Sequence, residues 1–142
     1  MKLKFKKTHP DAITPTYSHE SDSGMDLYLL KDEWISGDSF RAIDTGIAFE
    51  IPDGYEIQIR PRSSIVSNWP VIISLGTVDA GYRGSVKVLV RCVSHWGQAK
   101  FSKGERIAQA VLAPVVHAEL EEVSELSATD RGEGGLGSSG RF

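Results

Sequence analysis

Between Tyr55 and Arg60 every second residue is large and apolar, with Tyr55, Ile57 and Ile59 alternating against Glu56, Gln58 and Arg60. A helix would scatter these side chains around its circumference, whereas an extended chain places them on one face, because successive strand side chains point to opposite sides. The same rhythm returns in Val86, Val88 and Val90 against Lys87, Leu89 and Arg91. Turn chemistry separates the runs: SGD at 36–38, PDG at 52–54, DAGYRG at 79–84 and SKG at 102–104. Gly and Asp at such points supply the conformations that reverse a chain. Many short strands spaced this way predict an all-β single domain, a sandwich or a jelly roll. Helix signal is confined to SSIVSN after Arg62, where Ser63 or Ser64 is placed to cap a turn or two.

A chain of 142 residues can bury one core without metal or disulfide staples. Cys92, in VLVRCV, is the lone cysteine, which rules out an internal disulfide or a thiolate metal cluster and fits a reducing compartment. The 16 Lys and Arg against 19 Asp and Glu give a net charge of −3, so no basic excess exists to hold a nucleic acid polymer by counterion release. His9, His19, His95 and His117 are scattered without metal-like spacing. The start, MKLKFKKTHP, alternates Lys with Leu3 and Phe5 and has no apolar stretch of signal-peptide length, and no later segment approaches a membrane span. These features predict a soluble, cytoplasmic protein, or one of the host cell interior if the source is viral, with no membrane partner.

The last strand is read at VLAPVV, and the acidic stretch HAELEEVSEL leads from it to RGEGGLGSSGRF at 131–142. Five of those twelve closing residues are Gly and only Leu136 and Phe142 are large and apolar, too little surface to offset the segment's own ordering entropy. Residues 1–117 therefore read as the core, and 118–142 as an arm carrying a Gly-rich tail away from its own domain.

Four interior stretches look unlike sheet filler. SDSGMDL sets Gly24 two residues before Asp26; RPRSSI strings Arg60, Arg62, Ser63 and Ser64 together; LGTVDAGYRG holds Gly76, Asp79 and Tyr82; and GERIAQAV holds Arg106 and Gln109. Singly each has an ordinary explanation: an Asp beside Gly forms turns, an Arg-Ser-Ser cluster is a solvated helix entry, a hairpin Tyr packs across strands, and Gln109 is a buried amide. With the tail, in this order along nearly the whole chain, they resemble the five motifs of the homotrimeric dUTP diphosphatase (dUTPase) family.

That resemblance implies hydrolysis of dUTP to dUMP and pyrophosphate by attack of water on the α-phosphorus, with Mg2+ across the triphosphate, keeping dUTP low and supplying dUMP. Such a reaction asks for positioning and charge stabilisation rather than a covalent nucleophile. Carried onto this chain, the family's pattern makes Asp79 the base that orients and deprotonates water, and Asp26 the holder of waters in the magnesium shell. Arg62, Ser63 and Ser64 fall on the phosphate-contacting stretch, Gln109 on the residue reaching the α-phosphate, and Arg106 on a brace acting through an internal ion pair. Uracil is read by main-chain groups near Gly76 and Lys87, while Tyr82 packs on the deoxyribose and leaves no room for a 2'-hydroxyl. Arg131 pairs with the γ-phosphate, and residues 132–140, including Gly137, Ser138 and Ser139, wrap the anion in a backbone cradle.

Two departures stand out. Leu136 replaces the Phe that usually stacks on uracil, keeping an apolar lid but losing about 1 kcal/mol of stacking. Ile73 replaces an Asn carried by many relatives. The resemblance implies an all-β, jelly-roll-like (β-clip) single domain that assembles as a homotrimer, with sites combining several subunits and each arm reaching a neighbour. The dCTP deaminases share the fold and an Asp-x-Gly-aromatic turn, but they place a Glu where this chain has Leu89 and an Arg where it has Ser67. A nucleotide-binding module without catalysis has no use for Asp79 beside phosphate, where like charges repel.

Overall fold

The alternating runs do become strands. In this computed structural model, which describes residues 1–135, the elements are β1 (Lys4–Lys7), β2 (Met25–Tyr28), β3 (Glu33–Ser36), β4 (Arg41–Asp44), β5 (Ile47–Glu50), β6 (Tyr55–Pro61), α1 (Ser63–Asn68), β7 (Val71–Ile73), β8 (Gly76–Val78), β9 (Lys87–Cys92), β10 (Gln98–Phe101) and β11 (Arg106–Pro114). Ile57 and Ile59 of β6 and Val88, Val90 and Cys92 of β9 are buried, as their period requires. All pairings are antiparallel: a sheet of order β2-β11-β6-β8, another of order β4-β9-β7, and the two-stranded ribbons β1-β5 and β10-β3. Leu27, Leu29, Ile35, Ile47, Ile57, Phe101 and Ile107 fill the space between them, giving a jelly-roll-like fold. Trp69 closes one end of that core with its ring edge-on to Phe101, centroids 5.3 Å apart.

The predicted turns at 52–54, 79–84 and 102–104 close as expected. Tyr55 N–H donates to the Pro52 carbonyl at 3.2 Å, with Gly54 at φ 79°, a left-handed geometry that glycine adopts without strain. Two expectations need correction. Neither Ser63 nor Ser64 caps α1: the helix starts directly behind β6, so Arg62 occupies the cap position in extended conformation with no side-chain cap bond, and both serines sit exposed in the first turn. The last strand begins earlier than VLAPVV, at Arg106, and stops at Pro114, because its long pairing runs the length of β6. Val115 N–H makes a final tie to the Gly54 carbonyl at 2.8 Å. Beyond it the described chain forms no helix or strand.

One topological feature positions the site. β7 pairs with β9 through Ile73↔Val90, and Ser74 N–H still donates to the Leu89 carbonyl at 2.9 Å. The chain then crosses to the other sheet, where β8 pairs with β6 as Gly76↔Ile59, Thr77↔Gln58 and Val78↔Ile57. The hairpin is thereby split, and a gap opens between β8 and the start of β9. Among the described residues no helix is long and apolar enough to cross a membrane. Cys92 is fully buried and its thiol donates to the Ile35 carbonyl; burial pushes its pKa up, so it stays an inert thiol.

Candidate functional site

The gap in the split hairpin is a hollow of about 310 Å³, and Gly76, Asp79, Tyr82 and Lys87 all line it. Backbone parity explains how it can read a ligand. Val86 turns its main-chain groups toward the β4–β5 side, donating to Ile47 O at 2.7 Å and accepting from Thr45 N–H at 3.1 Å. Strand alternation then turns the N–H and C=O of Lys87 the other way, toward the hollow, in step with Leu89, whose carbonyl meets Ser74 on that side. Asp79 lies just past β8; its carbonyl accepts from Tyr82 N–H at 3.0 Å to close the turn. Its exposed carboxylate has no hydrogen bond or ion pair among the described residues. Tyr82 is half exposed and donates from Oη to the Ser85 carbonyl at 3.2 Å.

A second cluster forms where β2, β11 and β6 lie side by side. Asp26 is opposite Gln109, and Gln109 is opposite Arg60, so three sequence-distant motifs meet across one sheet. Asp26 is buried, and its oxygens are engaged: Oδ1 by Arg62 Nε at 2.8 Å, Oδ2 by Arg106 Nη1 at 3.1 Å and by Ser18 Oγ at 2.9 Å. Arg62 Nη1 also donates to the Arg106 carbonyl at 3.3 Å. The internal ion pair read for Arg106 is thus present. Ser18 was missed, since it stands alone eight residues before Asp26 and only the fold brings it back. Gln109 Nε2 donates to the Pro61 carbonyl at 3.0 Å. Gly24 makes room for it: a Cβ there would stand 2.6 Å from Gln109 Oε1 and 3.0 Å from its Cβ.

The electrostatics of this cluster favour an anion. One carboxylate between two guanidinium groups leaves one net positive charge, flanked by the exposed hydroxyls of Ser63 and Ser64. The described residues contain no group of three or more His, Cys, Asp or Glu able to hold a metal ion. Asp26 uses three of its roughly four lone-pair sites within the chain. It can still accept one hydrogen bond from water, which fits a divalent cation held through its water shell and not by direct ligation.

Asp79 and the cationic cluster are not brought together within one chain. Val78 is opposite Ile57, so Asp79 is level with Glu56, while Arg62 lies six residues further along. At strand spacing that is about 20 Å. Arg131 is exposed, its Nε donating to the Gly134 carbonyl at 2.8 Å in its own turn. Leu136, Gly137, Ser138 and Ser139 lie outside the described residues.

A family model described as dUTPase matches residues 10–140. The chain belongs to the dUTPase family. As a dUTPase it is an enzyme, a hydrolase of nucleotide metabolism. Among its relatives, the deoxyuridine 5'-triphosphate nucleotidohydrolase of Nautilia profundicola is 47% identical, over 99% of this chain and 100% of that protein. That of Gloeothece citriformis is 44% identical, over 99% and 97%. A mutant dUTPase of Staphylococcus bacteriophage 80alpha, solved with dUpNHpp, superposes with a TM-score of 0.92 at 28% identity, covering 98% of each chain. The family match spans both clusters, from Asp26 and Ser18 through Gln109.

Proposed function

We propose that this dUTPase hydrolyses dUTP to dUMP and pyrophosphate by attack of water on the α-phosphorus, keeping dUTP low and supplying dUMP. The observation that carries the reading is the single hollow lined by Gly76, Asp79, Tyr82 and Lys87. Its size lies at the lower end of ligand pockets, suited to a nucleoside with the phosphates outside. Main-chain groups of Gly76 and Lys87 read the uracil edge, and the Tyr82 ring packs on the deoxyribose. Asp79, with no competing partner among the described residues, orients water and takes its proton.

The triphosphate is assigned to the cationic cluster: Arg62, Ser63 and Ser64 contact the phosphate chain, Gln109 the α-phosphate, and Asp26 fixes the Arg62 guanidinium. Because that cluster lies at the far end of β6 from Asp79, a second copy supplies it, in keeping with the homotrimer with shared sites that the family resemblance implies. Arg131 is assigned to the γ-phosphate, Gly137, Ser138 and Ser139 to the phosphate cradle, and Leu136 to the lid over the base. Asp26 would hold Mg2+ through the ion's water shell, and the ion would supply screening of the triphosphate's negative charge. Leu89 stands in the hollow where a deaminase needs a carboxylate, so that position offers no side chain to move protons at C4.

The decisive assay presents dUTP, UTP, dCTP and dTTP with and without Mg2+ and measures pyrophosphate and ammonia. Pyrophosphate from dUTP, far exceeding that from the others, is the expected result; no pyrophosphate from dUTP, or ammonia from dCTP, overturns the reading. A finer prediction concerns Gly24→Ala. The new methyl group evicts Gln109 from the Pro61 carbonyl, and misplacement on the scale of 1 Å lowers kcat by up to about 100-fold. Steady-state kinetics beside a thermal melt check it: an unchanged kcat in a folded variant removes Gln109 from the reaction.

A further inference from the structure

Gly84 differs from the glycines that the backbone itself requires. Gly37, Gly46, Gly54, Gly104 and Gly132 have positive φ and answer a backbone need. Gly84 does not, so its backbone would accept any L-residue. What excludes a side chain is one ring: a Cβ at 84 would lie 2.3 Å from Tyr82 Oη, 2.5 Å from Cζ and 3.0 Å from Cε2. Tyr82 folds back across the bare backbone of Gly84, and its hydroxyl reaches on to the Ser85 carbonyl at 3.2 Å. Ser85 is itself anchored, its Oγ donating to Asp44 Oδ1, an oxygen that also accepts from Gly46 N–H at 2.8 Å. The surface beneath the ring is thus tied to β4, the neighbour of β9.

We propose that Gly84 is a specificity-determining positioning residue: its missing side chain is the seat that sets the Tyr82 ring at the depth where deoxyribose fits and ribose does not. The inference rests on the reading of Tyr82 as the sugar wall and names what holds that wall in place. Steric discrimination works at contact distance, about 3.5–4.0 Å between carbon atoms. A methyl group at 84 lifts the ring by about 1 Å or more to restore that spacing, a shift on the scale of the atom being discriminated.

The test compares Tyr82→Ala, Gly84→Ala and the double variant by kcat/KM for dUTP and for UTP, with a thermal melt of each. Tyr82→Ala should lower the dUTP-over-UTP ratio by about 100-fold, and Gly84→Ala by at least about 10-fold. In the Tyr82→Ala background Gly84→Ala should have no further effect, because the ring it acts through is gone. A Gly84→Ala ratio equal to the parent's, or the same drop in both backgrounds, overturns the inference while leaving Tyr82 as the wall. If Tyr82→Ala leaves the ratio unchanged, the wall reading fails and the seat with it. Should Gly84→Ala alone fail to fold, the double variant must fold, since the clash is removed; a double variant that also fails to fold overturns the proposal.

Discussion

Asp79→Asn yields a protein that still binds dUTP but has lost most of its turnover, kcat falling by about 10²–10⁴-fold, the range a positioned general base contributes. The substitution removes the proton acceptor and leaves the shape. Because the Asp79 carboxylate is exposed and has no partner among the described residues, the variant should melt with the parent. Calorimetric titration with dUTP, together with pyrophosphate release, separates binding from chemistry. Near-parental turnover would end the role of Asp79 as the base, and lost binding would assign it to holding the nucleotide instead.

Asp26→Ala should behave in the opposite way, with stability falling first. Its carboxylate is 8% exposed and holds the Arg62 side chain, 21% exposed, in an ion pair at 2.8 Å. Removing one partner of a buried pair strands the other charge, at a cost of about 3 kcal/mol. Ser18 loses its acceptor and Arg106 its counterion as well. The shift should appear as a lower urea midpoint without a change in slope. Arg106→Gln is the control: with 45% of that side chain exposed, solvent screens what remains and the loss should be well below that of Asp26→Ala. Equal losses from the two would mean that Asp26 is not the hub of the cluster.

The contrast between these two carboxylates shows where sequence reading reached its limit. Both stand near a Gly in a short motif, and nothing local distinguishes them. What separates them is non-local: Asp26 faces Gln109 across β2 and β11 and meets Arg62 and Arg106, whereas Asp79 stands exposed on a surface turn. Local signals carried β6, β9 and the predicted turns, since period and turn residues act over a few positions. The split hairpin was not readable, because the exchange of partners after Ser74 is set by pairing with two different strands, β9 and then β6, that lie outside VIISLGTV. Helix entry was misjudged for a related reason. The serines were credited with a cap by composition, but the end of β6 at Pro61 fixed the start of α1 one residue sooner.

The length of β6 has a further consequence. On the proposed reading, β6 runs from beside Asp79 at one end to Arg62 at the other, so in a ring of copies each molecule would lend its two ends to different catalytic centres. Lesions in one protomer are therefore dealt out to separate sites. An assembly mixed from chains damaged at opposite ends of this strand would contain some centres inheriting both faults and some inheriting neither.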